Sequence, residues 1–375
     1  MKVIILCSNY EPGGAQRVSF RLEAALKERG IDASSWFLHR KGENFSKENP
    51  NILFNKKISN FKNIVQVILQ LIHLIKHSKP DVIISFLPYA NTLGLIIAFL
   101  LGVKVRVASH RSESRQELSS FMRSVDFLCA YFGVYTSITA VSESTKQSFI
   151  HYTKKCFNKI IVVNNGLDFS CSIHSKESCR NFFKLNDSDF IIGTVGRLVH
   201  PKNQLLLIEL LPYIEDVHLV IVGKGEMKQV LIDKAEKLRV IDRLTLIDEV
   251  KTEDMHTFLK AIDVYVMPSL FEGLSNALLE ALHAGLPIVS SDVPSQRDVL
   301  QRSSDGLIAG VLIGLDKSND WAKEILRLKV DRNYREKLHE NALLRARDFT
   351  VDKMANGYIA LFNWDRKNED KSLTI

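Results

Sequence analysis

Apolar strand-like runs alternate with helical stretches along almost the whole chain, and they do so in two separate series. The first series runs through residues 3–7, 33–38, 82–86, 103–109, 138–141 and 160–163. Helical patterns at 15–29, 58–77 and 143–152 lie between them. The second series comprises 191–195, 218–222, 244–247, 264–267 and 288–291. Continuous apolar strands separated by helices belong to parallel sheets covered on both faces. Two series therefore predict an α/β protein of two Rossmann-like domains, a first domain at 1–168 and a second at 190–349. The stretch 169–189 is polar and lacks a period, so it reads as a linker. Ligands of such sheets bind at the carboxyl ends of the strands. The two sets of strand ends are expected to face each other across a cleft.

The densest chemistry lies at 269–294, SLFEGLSNALLEALHAGLPIVSSDVP. Glu272 and Glu280 stand eight residues apart, the first in a loop before a helical run at 275–284, the second about two turns inside it. The helix N-terminus offers free N–H groups and partial positive charge to a phosphate, through Gly273, Leu274, Ser275 and Asn276. A carboxylate beside it can accept hydrogen bonds from a sugar or ribose diol. The bland alternative is a buried helix carrying two stray acids.

This segment resembles the E-x7-E region of retaining glycosyltransferases of the GT4 type, which have the GT-B fold. Further resemblances follow in the same chain order. Gly13 and Gly14, between the first strand and its helix, are similar to the family's GGA element near donor phosphates and acceptor, although a plain tight turn explains them equally. They do not form G-x-G-x-x-G, which counts against a dinucleotide-dependent dehydrogenase. His110 follows the strand 103–109 and reads as a cleft residue, where many relatives have a catalytic-site histidine and others a glutamate followed by Arg-Ser, with a structural, hydrogen-bonded histidine as the alternative. Arg111 is open between an acceptor phosphate and an ion pair with Glu113 or Glu143. Asn164–Asp168 is similar to the family's NG-x-D element, and also reads as a turn with Gly166 at positive φ. Gly196, Arg197 and Lys202 match the family's GRL-x-x-x-K. Two cations at a strand end can neutralise a diphosphate leaving group as its bond breaks. Gly223 sits in a similar glycine turn, while Lys224 reads as a surface residue. Asp298 stands where relatives often have a glutamate, and its role stays open.

The resemblance implies residue roles and a mechanism. Glu280 binds ribose hydroxyls and Glu272 contacts the transferred sugar. His110, Arg197, Lys202 and Glu272 form the catalytic set. Gly13, Gly14, Gly196, Gly223, Gly273, Leu274, Ser275, Asn276 and Glu280 bind the donor, expected to be UDP-linked. The run 352–365 crosses back to the first domain. Transfer retains the anomeric configuration by a front-face route, in which the leaving diphosphate takes the acceptor proton. No cofactor is expected and no metal is required: Asp187–Asp189 spells Asp-Ser-Asp but precedes a strand.

Charge and composition bear on the partners. Residues 1–170 carry a net +10 and the remainder −3, giving the overall +7. No RNA- or DNA-binding motif accompanies the basic half, so nucleic acid is not expected. An anionic membrane surface or a lipid diphosphate fits better. The apolar run 58–77, punctuated by Lys62, His73, Lys76 and His77, and the stretch 127–135 near Arg115 and Arg123, would rest on a bilayer or pack as core helices. Arg111 and Arg115 are candidates for acceptor contact. The five cysteines show no metal spacing and read as reduced thiols. No run reaches the roughly 20 residues of a membrane span. The opening residues lack a signal-peptide pattern. A cytoplasmic enzyme peripheral to the cell membrane is thus expected, adding a hexose or N-acetylhexosamine to a polyprenyl-diphosphate-linked saccharide of bacterial surface polysaccharide (O-antigen or capsule). The rival readings are a GT-B nucleotide-sugar epimerase and a non-enzymatic sugar-binding protein of the membrane surface.

Overall fold

The computed structural model describes residues 1–11, 13–41, 50–168 and 174–362. The chain forms two compact units, Met1–Gly166 with the segment from Thr350, and Leu167–Phe349.

The first unit is built on a seven-stranded sheet: β1 (Lys2–Tyr10), β2 (Asp32–Arg40), β3 (Asn51–Phe54), β4 (Val82–Phe86), β5 (Val105–His110), β6 (Ser137–Ala140) and β7 (Ile160–Val162). Their order is β3-β2-β1-β4-β5-β6-β7, and every pairing is parallel. In β1 the side chains alternate between two cores. Ile4 and Leu6 join one, Val3, Ile5 and Cys7 the other. A strand buried on both faces must read as a continuous apolar run, which is why the sequence signal was strong. The edge strand β3 is only half-buried and was not expected.

The helix Gly14–Glu28 covers one face through Val18, Leu22, Ala25 and Leu26. The returning helix Val351–Ile359 packs on that same face with Met354, Ala355 and Tyr358, whose hydroxyl lies 3.0 Å from Ser109 Oγ of β5. The chain's last helical run thus crosses back as expected, although 363–365 fall outside the described residues. The helices Phe61–Ser78, Leu95–Leu100 and Ser120–Tyr131 cover the opposite face. The expected helix 143–152 is shorter, Glu143–Gln147.

The second unit holds β8 (Phe190–Val195), β9 (Val217–Val222), β10 (Leu244–Ile247), β11 (Val264–Met267), β12 (Ile288–Ser291), an antiparallel pair β13 (Gln301–Arg302) and β14 (Leu307–Ile308), and β15 (Val311–Ile313). Its parallel sheet has the order β10-β9-β8-β11-β12-β15. The fully buried Trp321 anchors its core, with Nε1–H donating to Gly314 O at 3.1 Å.

The linker expectation needs correcting for 174–189. A helix, Lys176–Phe182, capped by Ser175, lies there. Its Arg180 donates to Ala261 O at 2.9 Å and to Asp263 at 2.8 Å, and Asp263 in turn accepts from Ile191 N at 2.7 Å. Cys179 is buried beside it. These ties are long-range, so local periodicity carried no trace of them. Residues 169–173, with Cys171, lie outside the described residues. Among the described residues, no helix is long and apolar enough to cross a membrane.

Candidate active site

In each main sheet the order in which strands are added reverses once, and the loops on either side part at that point. In the second unit the reversal falls between β8 and β11. The loop after β8 carries Gly196, Arg197 and Lys202; the loop after β11 carries Glu272, Gly273, Leu274 and Ser275 and runs into the helix Asn276–His283. The structure brings these together. Lys202 Nζ forms an ion pair with Glu272 Oε1, both side chains mostly buried. Ser269 Oγ donates to the same carboxylate oxygen at 3.0 Å. Hydrogen bonds to main-chain carbonyls fix the two loops against each other. Leu270 N donates to Pro201 O at 2.9 Å and Asn203 Nδ2 to Pro268 O at 3.2 Å. Asn203 sits at φ 51°, a left-handed conformation that asparagine tolerates better than most residues.

Glu280 lies on the buried face of its helix at 6% exposure. Tyr265, on β11, is fully buried and feels the charge of both acids. Burial raises its phenol above the ordinary range, and the charges of Glu280 and Glu272 push the same way. Its hydroxyl therefore stays protonated and donates to Val195 O at 3.4 Å. Ser275 is the N-cap residue of the Glu280 helix and makes no side-chain cap bond to its N–H groups. Arg197 is exposed, with its carbonyl held by Gln204 Nε2 at 3.0 Å.

Gly223 has a reason for being glycine within the protein itself. Its φ is +153°, and a Cβ there would overlap the carbonyl of Gly196, with the carbonyl carbon at 2.9 Å. The missing side chain lets two protein loops touch, through Gly196 N to Val222 O and Leu198 N to Lys224 O, both 2.9 Å. Lys224 pairs on the surface with Glu249 at 2.8 Å.

Sequence reasoning missed a buried polar cluster beneath the site. Ser290 of β12 donates to Gln296 Oε1, and Ser291, 2.9 Å from the same oxygen, donates to Ser269 O at 2.5 Å. These bonds hold the Ser269 turn that presents Glu272. The alternation of β12 and the Pro294 helix start were the only local signals available. Asp298 offers its main-chain carbonyl to Arg345 at 2.6 Å.

In the first unit two expectations change. His110 does not face an opening; its ring is fully buried. Strand alternation sends Ala108 and His110 toward the helices, where His110 stacks on Phe149 at 4.2 Å and places Nε2 3.5 Å from Asp126. Asp126 also accepts hydrogen bonds from Tyr135, at 2.9 Å, and from Tyr152. Burial lowers the His110 pKa, against the pull of Asp126. Arg111 turns to the domain's own core. It donates to Asn165 and lies over the Phe86 ring at 4.6 Å, largely buried. Arg115 is exposed on the short helix Ser114–Glu117. Gly13 is the extended N-cap of its helix, and Gln16, bonded to Asn9, occupies the space a Cβ would take; Gly14 begins the helix. Among the described residues, no three His, Cys, Asp or Glu side chains gather as a metal site.

Two family profiles cover most of the chain: Glycosyltransferase Family 4 matches residues 12–170 and Glycosyl transferases group 1 matches 175–345. The chain is 26% identical to the Campylobacter jejuni GalNAc-alpha-(1->4)-GalNAc-alpha-(1->3)-diNAcBac-PP-undecaprenol alpha-1,4-N-acetyl-D-galactosaminyltransferase, over 96% of this chain and 98% of that protein. It is 28% identical to the Escherichia coli UDP-Gal:alpha-D-GlcNAc-diphosphoundecaprenol alpha-1,3-galactosyltransferase, over 81% of each. Among solved structures, Anabaena Alr3699/HepE in complex with UDP and glucose superposes with a TM-score of 0.80 at 18% identity, over 96% of this chain and 98% of that one. Both sequence relatives are named as transferases, which sets aside the epimerase and the non-enzymatic binder.

Proposed function

This chain belongs to the GT4-type glycosyltransferases of the GT-B fold, and we propose that it transfers a hexose or N-acetylhexosamine from UDP to a polyprenyl-diphosphate-linked saccharide, with retention. The observation that carries this reading is the Lys202–Glu272 pair at the reversal of the second sheet, next to the buried Glu280 helix. In the proposal Lys202 and the exposed Arg197 take the donor diphosphate and stabilise it as it leaves. Glu280 accepts from the ribose hydroxyls. Glu272, released from Lys202 when the diphosphate arrives, turns to hydroxyls of the transferred sugar. The N–H groups at 273–276 face phosphate or sugar. The leaving diphosphate takes the acceptor proton, so no side chain of the chain is needed as a base.

The acceptor reading rests on the names of the two sequence relatives and on one surface of the first unit. The helix Phe61–Ser78 buries Val67, Leu71, Leu74 and Ile75, and exposes Phe61 (78%), Leu69 (61%), Ile64 and Val65 beside Lys62. It is a core helix on one side and an apolar-basic surface on the other. Phe121, Tyr131 and Phe132, around the helix Ser120–Tyr131, are exposed as well. Such a face suits the interfacial region of an anionic membrane where a lipid-linked saccharide resides. The test is calorimetric titration of UDP and UDP-N-acetylhexosamines, followed by transfer to GlcNAc-diphospho-undecaprenol in vesicles. Binding of UDP with transfer of its sugar supports the reading; the absence of UDP binding removes it.

A further inference from the structure

We infer that His73 and His77 chelate a first-row transition ion of the Cu²⁺, Ni²⁺ or Zn²⁺ class, with the Gln70 side-chain oxygen as a third donor. The inference goes beyond glycosyl transfer and does not depend on it.

The two histidines stand one turn apart on the helix Phe61–Ser78, so their side chains leave the same face. Their ring centroids are 3.8 Å apart and the planes are inclined by 33°. Two imidazole nitrogens bound at about 2.0–2.1 Å to a tetrahedral ion lie about 3.3 Å from each other. Ring centroids 3.8 Å apart put the two imidazoles within reach of one such ion. Imidazole is a preferred donor for all three ions.

The protonation pattern also suits a metal. His77 Nδ1 is 2.9 Å from the carbonyl oxygen of His73. A carbonyl only accepts, so Nδ1 carries the hydrogen and Nε2 keeps its lone pair. A metal-bound histidine characteristically donates its second ring N–H in this way, which fixes tautomer and ring orientation.

An independent observation comes from Gln70, three residues before His73 and therefore on the same helical face. Its Oε1 is buried and accepts no hydrogen bond among the described residues. A buried amide oxygen without a partner costs free energy that a cation would recover. Gln70, His73 and His77 all line one groove of about 700 Å³, together with Trp36. The groove leaves room for water to complete the coordination sphere.

Trp36 supplies the readout. CuCl₂ titrated into the full chain should quench Trp36 emission in a saturable manner, with one Cu²⁺ per chain by calorimetry. Trp36→Phe should abolish the quenching and leave calorimetric binding intact. His73→Ala or His77→Ala should weaken binding by about tenfold or more, and Gln70→Leu by a smaller factor. Lys76→Ala, an exposed neighbour that does not line the groove, should change neither signal. Both histidines are exposed, so their removal does not threaten the fold. Saturable binding that persists unchanged in the double variant His73→Ala/His77→Ala, or no saturable binding in the parent, overturns the site. Unchanged affinity in Gln70→Leu overturns the third donor.

Discussion

Replacing Gly223 by alanine is expected to destabilise the second unit through a collision inside the protein's own backbone. Two costs combine. At φ +153° an L-residue occupies a region essentially reserved for glycine, at about 1–3 kcal/mol. The added Cβ would also sit 2.9 Å from the Gly196 carbonyl carbon and overlap its oxygen, and relieving an overpacked contact costs about 1–3 kcal/mol more. The neighbour is main chain, tied by the Gly196–Val222 hydrogen bond, so it cannot swing aside as a side chain would. The sum, about 2–6 kcal/mol, is a large part of a typical domain's 5–15 kcal/mol. A unit of this size loses roughly 2–4 °C of Tm per kcal/mol, so a fall of at least about 4 °C is expected. Gly306→Ala is the control within the same unit. Its φ is +71° with nothing within 4 Å of the added Cβ, so it carries backbone strain alone. Thermal unfolding followed by hydrogen exchange in peptides of β8 and β9 isolates the right unit. Equal destabilisation by the two substitutions would refute the collision. Any folded Gly223→Ala protein should also bind UDP more weakly, because the displaced turn carries Arg197.

Three other outcomes are expected. Lys202→Ala should lower kcat by about 10²–10³-fold, the scale of a lost transition-state donor, whereas a change in KM alone would mean that Lys202 only holds substrate. Truncating Glu280 to alanine should weaken UDP by about 1–3 kcal/mol in calorimetry, and an unchanged affinity would remove its ribose role. Below pH about 6.5 the protein should lose stability, because burial lowers the pKa of His110 so that the unfolded chain binds more protons there. The contribution is complete above the unfolded value and disappears as pH falls toward the folded one; urea midpoints at pH 7.5 and 5.5 read it, and His110→Phe should flatten the slope.

What could be read in the sequence follows from the range of the forces involved. Buried parallel strands impose a long apolar run on the chain itself, so β1, β4, β5, β8 and β9 were visible. The edge strand β3, with one neighbour and half-buried residues, imposes no such run. The spacing of Glu272 and Glu280 was legible because both lie in one loop and helix. The pairing of Lys202 with Glu272 spans 70 residues and depends on which strands become neighbours. His110 was recognisable as a strand-end histidine, yet its direction hung on the phase of β5. One residue's difference separates the Asp126 side from the Ser109 and Arg111 side. The Gln296 cluster and the Arg180–Asp263 anchor are tertiary bonds with no periodic imprint.

The first unit borrows its final helix from beyond the second, and this sets a schedule for synthesis. Met1–Gly166 leaves the ribosome first, but the face lined by Val18, Leu22, Ala25 and Leu26 is finished by Met354, Ala355 and Tyr358. The whole of Leu167–Phe349 must be translated in between. At about 5–20 residues per second that is a wait of roughly 10–40 s. Throughout it the nascent first unit carries an uncovered apolar surface, while the second unit can complete its own core without help. The second unit is therefore expected to reach its native state first, although its synthesis starts later.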